Sequence, residues 1–293
     1  MNVHLIDGTY ELFRHFYALP SRSDSEGNEV AALLGVASSI ASMIQNGATH
    51  VGVATDHVIE SFRNTMYDGY KSGGGIDPQL WRQFHPLEEL LRALGVAVWP
   101  MVDQEADDGL AAAASQAQEG RDVSRVLICS PDKDLAQCVR GDLVVQFDRR
   151  QRIIRNEEGI LEKFGVSPRS IPDFLALVGD TADGYPGIPR WGGKSTATVL
   201  RRYGHLEDIP KNPFHWDCDV RGGKALGASL REHWEEAMLF RDLATLRTDA
   251  DLFGDVEELR WRGPKSEFGE LCEKLGAPNL AEQVARIGNL APA

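Results

Sequence analysis

Short apolar runs alternate with amphipathic stretches through the first half of the chain. The runs are rich in β-branched residues and predict buried strands at Val3–Ile6, Val51–Ala54, Val96–Val98, Val126–Cys129 and Leu143–Phe147. The stretches between them repeat apolar residues at helical spacing and predict helices at Val30–Gln45, Pro78–Leu94, Ala106–Glu119 and Lys133–Val139. This alternation is typical of an α/β fold, a mainly parallel sheet with helices on both faces.

The pattern changes at Ser167, after which only helices are predicted. They span Arg169–Val178, Ser195–Tyr203, Lys224–Phe240 and Ser266–Leu275, and a loop rich in glycine and proline separates the first two. We therefore expect three parts, an α/β domain over 1–163, a helical domain over 164–249 and an acidic C-terminal extension over 250–293.

Composition bounds the class of protein. The 293 residues are 42% hydrophobic and 26% charged, which suits a globular chain rather than a disordered or fibrous one. No run approaches the roughly 20 apolar residues of a membrane span. The start, MNVHLIDG, shows no positively charged segment before an apolar stretch, so nothing in it predicts secretion. The four cysteines are scattered without metal-site or disulfide spacing. We expect a cytoplasmic protein with reduced thiols and no membrane partner.

The net charge of −13 argues at first against a nucleic-acid partner. The acids are unevenly distributed, however, because the tail from Thr248 holds nine acids against five bases. Much of the remaining excess lies in a few short motifs. The acidic composition therefore excludes little.

Three predicted strands are followed by an aspartate, in the segments VHLID (Asp7), VGVATD (Asp56) and VLICSPD (Asp132). Open α/β sheets bind ligands beyond the carboxyl ends of their strands, so these side chains are expected to converge. One such aspartate is usually a turn former or a helix N-cap. Three on separate strands favour a binding site.

Further acids cluster at two helix starts and one loop. Glu105, Asp107 and Asp108 open a helix, Asp134 follows Asp132 at the next helix start, and Asp180 and Asp183 lie at the mouth of the glycine-rich loop. Helix capping accounts for one or two of them. Crowded carboxylates raise each other's pKa, and hard cations such as Mg²⁺ or Mn²⁺ remove the repulsion. With no Cys/His ligand set for zinc, the pattern favours two such ions, the usual apparatus of phosphodiester hydrolysis.

Six motifs in order resemble those of the 5′-nuclease superfamily, which includes the N-terminal nuclease domain of bacterial DNA polymerase I, phage 5′-exonucleases and flap endonucleases. They are LIDG, VATDHVIESFR, YDGYKSG, QEADD, SPDKDLAQ and GDTADGYPGIPRWGGKSTATVL, and a weaker match extends the resemblance to about Asp249. The resemblance implies a PIN-like catalytic domain followed by a helix–three-turn–helix DNA-binding domain.

The resemblance also implies roles for individual residues. The first metal site would use Asp7, Asp56, Glu105 and Asp107, and the second Asp132, Asp134, Asp180 and Asp183, with Asp108 as an additional acid of bacterial members. Tyr70 and Lys71 match a pair at the base of the family's helical arch, where the lysine reaches the scissile phosphate and the aromatic ring stacks on a base. Arg82 is either a phosphate contact or an ordinary surface arginine, and Arg63 either a buried ion-pair partner or a phosphate ligand.

The segment Pro186–Thr196 resembles the duplex clamp of the family, whose loop carbonyls also hold a monovalent ion, usually K⁺. The implied DNA contacts are Gly187, Gly192, Gly193, Lys194, Ser195 and Arg201. The chain departs from the family pattern at Gly74, where arginine is frequent, and at Arg190, where glycine is usual, which puts the loop conformation in doubt. Trp191 also departs from it, and we expect its ring to pack inward.

The favoured hypothesis is a Mg²⁺- or Mn²⁺-dependent 5′-nuclease acting on 5′ flaps, ends or gaps of DNA, with RNA of RNA–DNA hybrids as a further substrate. Because no polymerase segment follows residue 249, we expect a stand-alone enzyme. The alternative is a structure-specific DNA-binding protein with weak or no catalysis. A PIN-type ribonuclease is disfavoured by the clamp-like residues 167–204, and no motif indicates a protein partner.

Overall fold

The structure is a computed structural model that describes residues 1–290. Its chain divides into two compact units, each discontinuous in sequence. The first unit comprises residues 1–59, 73–130 and the described part of the segment from 248 onward, and the second comprises residues 60–72 and 131–247. Both predicted classes of secondary structure are present.

The strands are β1 (Asn2–Asp7), β2 (His50–Asp56), β3 (Ala97–Met101), β4 (Arg125–Cys129), β5 (Val144–Asp148) and β6 (Ile153–Arg155). The α-helices are α1 (Gly8–Ala18), α2 (Ala31–Gln45), α3 (Arg63–Met66), α4 (Pro78–Trp81), α5 (Phe84–Leu94), α6 (Ala106–Ala117), α7 (Glu157–Phe164), α8 (Ile171–Val178), α9 (Gly193–Tyr203), α10 (Gly223–Glu232), α11 (Trp234–Ala244), α12 (Phe268–Lys274) and α13 (Pro278–Leu290). Short 3₁₀ helices cover Asp134–Cys138, Pro168–Ser170, Leu206–Asp208, Pro213–His215 and Val256–Leu259.

A parallel sheet with the strand order β3-β2-β1-β4 forms the centre of the first unit. The strands β1, β2 and β4 are buried almost throughout, as expected for β-branched runs covered on both faces, whereas the edge strand β3 is mostly half-buried. Asp7 lies opposite Ala54, and Asp56 lies opposite Met101 on the next strand. Asp7 and Asp56 therefore leave neighbouring strands at the same edge of the sheet, which confirms the predicted mainly parallel architecture and the end of both strands.

Two details of the first unit differ from the sequence prediction. The helix α1 was not predicted, although it begins directly after Asp7, whose carboxylate accepts a hydrogen bond from the backbone N–H of Tyr10 (2.8 Å). The single helix predicted over Pro78–Leu94 is divided into α4 and α5. The buried side chain of Gln83 lies at the break, where its Oε1 accepts a hydrogen bond from the N–H of Leu33 (3.1 Å).

The segment from Thr248 packs within the first unit rather than extending from it. The Trp261 indole donates to the carbonyl of Leu94 (2.7 Å), and the Trp261 backbone N–H donates to the carbonyl of Thr49 (2.8 Å). Trp261, Phe268 and Val284 are buried. The acidic segment thus contributes core residues to the unit that carries the parallel sheet.

The second unit combines the antiparallel pair β5–β6 with the helices α3 and α7–α11. Its core is formed mainly by α8 and α11 and includes Leu175, Phe240 and Leu243. The predicted helix over Lys133–Val139 is a 3₁₀ helix, and the predicted helix over Lys224–Phe240 is interrupted at His233, whose φ of −110° and ψ of 30° are not helical. The helical character expected after Ser167 is confirmed.

A search of the described residues for a long apolar helix of the kind that crosses a bilayer finds none.

Gly52 offers a direct test of packing in the sheet. A Cβ at this position would lie 2.2 Å from the Trp99 ring, which is itself stacked on Phe253 (5.8 Å) and cannot move freely. We expect Gly52→Ala to lower the free energy of unfolding by about 1–3 kcal/mol, the usual cost of overpacking. In the control Gly269→Ala, in α12, the new methyl meets nothing within 4 Å, so stability should be unchanged or higher. Urea unfolding followed by circular dichroism measures both, and equal stabilities would contradict the packing described.

Candidate metal centre and nucleic-acid interface

The two strand-end aspartates of the first unit are held by hydrogen bonds from neighbouring segments. Besides capping α1, Asp7 accepts a hydrogen bond from the Ser130 hydroxyl (3.0 Å). Asp56 accepts one from the N–H of Ala106 at the start of α6 (2.8 Å), and its own N–H donates to the Thr9 hydroxyl (2.8 Å). These contacts orient both carboxylates at the carboxyl edge of the parallel sheet, as the sequence predicted.

The acidic start of α6 has a clear capping component. Glu105 is the N-cap residue, and its N–H donates to the carboxylate of Asp108 (3.0 Å). Asp108 is completely buried in this capping box, a position that favours a structural role over the additional metal ligand implied by the resemblance. Glu105 is also buried, whereas Asp107 is half-buried on the first turn. The bond from Ala106 to Asp56 brings this helix start to the end of β2.

Three acids of the second unit form a compact oxygen cluster. One carboxylate oxygen each from Asp134, Asp180 and Asp183 lies within 4.8 Å of the other two. Within residues 1–290, no other three potential metal-ligand side chains have ligand atoms this close together, so the described part of the first unit has no equivalent group. Asp180 and Asp183 are brought together by a tight turn in which Asp180 accepts a hydrogen bond from the N–H of Ala182 (2.9 Å). The motif resemblance implies this grouping, with Asp132 as a further member, across about fifty residues.

Asp132 belongs to the same segment but differs from its neighbours in exposure. The strand β4 ends at Cys129, before Pro131, which has no N–H to donate to a neighbouring strand. Asp132 therefore lies in the following loop and not at the strand end, where the sequence pattern predicts it. Its side chain is exposed and accepts a hydrogen bond from the N–H of Asp134 (3.0 Å). It therefore orients the backbone that carries the buried acid.

Asp134 is the electrostatic centre of this cluster. Burial, together with the nearby charges of Asp132, Asp183 and Asp180, raises the pKa of its carboxyl well above the usual value of 3.8, and the Lys71 ammonium acts in the opposite direction. Its Oδ1 is buried and has no hydrogen-bond partner among the described residues. A buried polar atom of this kind is costly unless a further group satisfies it.

Two lysines offset part of the negative charge. The Lys71 ammonium lies 2.9 Å from the carboxylate of Asp183, and the Lys133 ammonium lies 2.6 Å from that of Asp180. Both side chains are about one third exposed. The sequence motifs imply a role for Lys71 and none for Lys133. Its place between two aspartates in SPDKD is the signal that could have identified it.

A close backbone approach fixes Lys71 beside the cluster. The N–H of Lys71 donates to the carbonyl of Asp183 (2.9 Å). Gly184 has a φ of 91°, and a Cβ there would lie 2.2 Å from the carbonyl oxygen of Gly69, which explains why glycine occupies this position. Tyr70 is buried in the core of the second unit, so its ring supports this segment from inside.

The glycine-rich loop adopts a tight conformation despite its unusual sequence. Gly187 has a φ of 74° and lies against the backbone of Val178 and Gly179. Arg190, where the family usually has glycine, also takes a left-handed φ of 74°. Arginine thus adopts the backbone region that glycine favours, at a cost of about 1–2 kcal/mol. Trp191 is buried, as predicted, and its indole donates to the carbonyl of Leu226 (3.3 Å).

The start of α9 presents polar and basic groups to solvent. Gly192, Gly193 and Lys194 are exposed, and the Ser195 hydroxyl donates to the carbonyl of Gly192 (2.9 Å) and accepts from its N–H (3.2 Å). The exposed Arg201 lies at the other end of this helix, where it donates to the carbonyl of Gly165 (3.2 Å). A helix N-terminus with glycines and a lysine is suited to a phosphate.

The two remaining predicted DNA contacts differ in accessibility. Arg63 is 1% exposed, and its guanidinium donates to the carbonyls of Leu243 (2.7 Å) and Thr245 (3.2 Å), which favours the structural alternative over a phosphate contact. Arg82 is exposed directly after α4 and remains compatible with either of its two roles.

Models of two protein families match consecutive parts of the chain. The 5′-3′ exonuclease N-terminal resolvase-like domain matches residues 2–165, and the 5′-3′ exonuclease C-terminal SAM fold matches residues 166–267. Together they cover the α/β and helical regions that the sequence pattern separates.

Individual relatives agree with this assignment. A 5′-3′ exonuclease of Aquifex aeolicus is 31% identical over 289 residues, which cover 97% of this chain and 96% of that protein. DNA polymerase I of Pseudomonas aeruginosa is 34% identical over 90% of this chain, and the chain spans about a third of the length of the DNA polymerase I relatives it matches. The fold is similar to that of the bacteriophage T5 D15 flap endonuclease in a pseudo-enzyme-product complex with DNA and metal ions (TM-score 0.66, 17% identity, 99% of each chain). The chain therefore belongs to the 5′-3′ exonuclease family, a family of nucleases.

Proposed function

We propose that the chain is a metal-dependent 5′-nuclease that hydrolyses phosphodiester bonds at the 5′ end or the 5′ flap of DNA. The observation that carries this proposal is the buried, unpartnered Oδ1 of Asp134 beside Asp180 and Asp183, in a member of the 5′-3′ exonuclease family. A buried carboxylate oxygen without a partner in a crowded acidic cluster suits a hard divalent cation, and the three acids of the cluster offer only oxygen ligands.

We assign the acids of the motifs to two divalent ions. Asp134, Asp180 and Asp183, with Asp132, would hold one ion, and Asp7, Asp56, Glu105 and Asp107 would hold the other. When bound, Mg²⁺ or Mn²⁺ would activate water and stabilise the leaving oxygen. We do not assign Asp108 to either ion, because its buried carboxylate caps α6.

Lys71 is proposed to contact the scissile phosphate. Its ammonium is about one third exposed, and its backbone is fixed by the hydrogen bond to Asp183. An ammonium held in this way can neutralise charge that develops on a phosphate oxygen. Tyr70 would act by positioning this lysine, because its ring is buried and the Lys71 ammonium lies 5.6 Å from the ring centroid.

The start of α9 is proposed as the duplex contact. Gly192, Gly193, Lys194 and Ser195 would bind backbone phosphates, which gives affinity without sequence preference.

We further propose K⁺ for the adjoining loop, since Arg190 keeps the left-handed backbone that glycine would adopt there. RNA of an RNA–DNA hybrid is a second substrate to be assayed. We also propose a cytoplasmic location, based on the scattered spacing of the four cysteines in the sequence.

The activity is tested with a labelled 5′-flap DNA in Mg²⁺ and in Mn²⁺. Asp134→Asn keeps the size of the side chain but removes a ligand charge, so we expect cleavage to fall by at least about 100-fold, the scale of losing a catalytic electrostatic group. The control Asp251→Asn changes an exposed acid outside every proposed site and should cleave like the wild type. Chelator should abolish cleavage by the wild type. Binding of flap DNA without turnover in either metal would instead support the DNA-binding alternative.

A second prediction concerns Lys71. We expect Lys71→Ala to lower kcat by about 100-fold with a smaller change in KM, because the ammonium acts on charge that develops during the reaction. Lys71→Arg should recover part of this loss, and Lys274→Ala, an exposed lysine of α12, should have no effect. Single-turnover kinetics on the same flap substrate measures these effects. A change confined to KM would argue that Lys71 contributes only to binding.

The raised pKa of Asp134 predicts a specific pH dependence of stability without metal. A carboxyl whose pKa is higher in the folded than in the unfolded protein stays protonated on folding, so stability falls as pH rises above about 3.8 toward the folded value. In chelator, the free energy of unfolding of Asp134→Asn should therefore exceed that of the wild type by an amount that grows with pH across this window. Mn²⁺ should stabilise the wild type more than the variant. Urea unfolding at several pH values measures both effects, and a pH-independent difference would contradict the assignment.

A further inference from the structure

A largely apolar cavity of about 470 Å³ lies in the second unit, and none of the clustered acids lines it. It is formed by residues of α10, the start of α11 and the segment 207–216. Its apolar lining comes from Ile209, Pro210, Trp216, Leu230 and Trp234. Two indoles in one cavity supply flat surfaces that suit a planar ring.

The ring of Trp216 is fixed by its surroundings. Its indole N–H donates to the carbonyl of Pro210 (2.7 Å), and its ring centroid lies 6.1 Å from that of the buried Trp191. Trp234 is the first residue of α11 and is half-buried. A ring that is already ordered loses little conformational entropy when it stacks on a ligand.

Two cations at the cavity complement this aromatic surface. Lys211 and Arg231 are exposed, and Arg231 donates to the carbonyl of Lys211 (2.6 Å). Neither side chain forms an ion pair with a carboxylate anywhere in residues 1–290. Glu207, the acid of the lining, is instead paired with Arg241. The two cations are therefore available to an external anion.

A second aromatic–cation pair adjoins the cavity. Phe214 is 78% exposed, and the Lys224 ammonium lies 5.8 Å from its ring centroid. The neighbouring Pro213 packs directly on Gly227 of the cavity wall, where a Cβ would lie 2.2 Å from the proline ring. Aromatic rings and basic side chains thus occur together at the cavity and in the segment that packs on its wall, a combination that is typical of binding sites for single-stranded nucleic acid.

We infer that this cavity binds single-stranded DNA, with a base stacked on Trp216 or Trp234 and the adjoining phosphates on Lys211 and Arg231. The inference deepens the proposed function, because it adds a contact for an unpaired strand outside the catalytic acids and the start of α9. Base stacking is independent of sequence, so the site would recognise an unpaired strand rather than a particular base.

The site is tested by photocross-linking in chelator, where no cleavage occurs. A ten-nucleotide deoxythymidine strand with one 5-iododeoxyuridine cross-links to aromatic residues that stack on the modified base. We expect mass spectrometry to locate the cross-link on Trp216, Trp234 or Phe214. Cross-links confined to peptides outside residues 207–234 would overturn the inference.

Charge-reversal variants test the same site without disturbing its core. Arg231→Glu and Lys211→Glu change exposed side chains, and each should weaken binding of the deoxythymidine strand by about tenfold. Lys265→Glu makes the same charge change at an exposed position of the first unit and should bind like the wild type. Trp234→Phe, which keeps an aromatic ring, should bind more tightly than Trp234→Leu. Equal affinities across this set would contradict the assignment.

The outcome also separates the site from the proposed catalysis. Binding at the cavity with no cleavage in Mg²⁺ or Mn²⁺ would support the inference and remove the proposed function. Cleavage of flap DNA with no cross-link at the cavity would support the proposed function and overturn the inference. An acidic peptide with one tryptophan is a competing ligand for an aromatic and basic cavity, and its binding there in place of the deoxythymidine strand would overturn the inference.

Discussion

The second unit is organised around a carboxylate that is difficult to keep charged. Asp134 is buried with Asp180 and Asp183 near its oxygens, in a position where water cannot screen their repulsion. The protein offsets this repulsion only in part, with ammonium groups from Lys71 and Lys133 that reach Asp183 and Asp180. One oxygen of Asp134 remains unsatisfied among the described residues. A divalent cation would satisfy it and turn an unfavourable cluster into a stabilising one.

The acids of the first unit are stabilised differently. Asp7 and Asp56 accept hydrogen bonds from backbone N–H groups at the starts of α1 and α6, and Asp108 closes a capping box with Glu105. Helix N-termini favour negative charge, so these carboxylates are accommodated by the fold itself. They can therefore combine a structural role with metal binding. In the second unit, Asp180 accepts a hydrogen bond from the N–H of Ala182, whereas the Oδ1 of Asp134 has no partner among the described residues.

The sequence predicted the central strands well, because short runs of β-branched residues are a strong local signal. The grouping of the acids depended in addition on the motif resemblance. Asp180 and Asp183 lie three residues apart in a turn-forming segment, and the motif resemblance related them to the distant Asp134. The inward packing of Trp191 also followed from the general burial of tryptophan.

Other features depend on contacts that sequence patterns do not contain. The helix α1 is not predicted from the sequence, because Asp7 is interpreted there only as a strand end and a ligand. In the structure Asp7 is also the N-cap of this helix. The burial of Arg63 depends on carbonyls about 180 residues away along the chain. The left-handed backbone of Arg190 was not predictable, since arginine rarely adopts it and only the surrounding loop imposes it. Similarly, the partnership of Lys133 with Asp180 required the folded loop.

The most direct test of the cation requirement is a count of bound Mn²⁺ by electron paramagnetic resonance, with Asp134→Ala compared with Asp251→Ala. The wild type and Asp251→Ala should bind the same number of ions per chain, and Asp134→Ala should bind one fewer while remaining folded by circular dichroism. An unchanged number of ions in Asp134→Ala would contradict the account of this cluster as a metal centre.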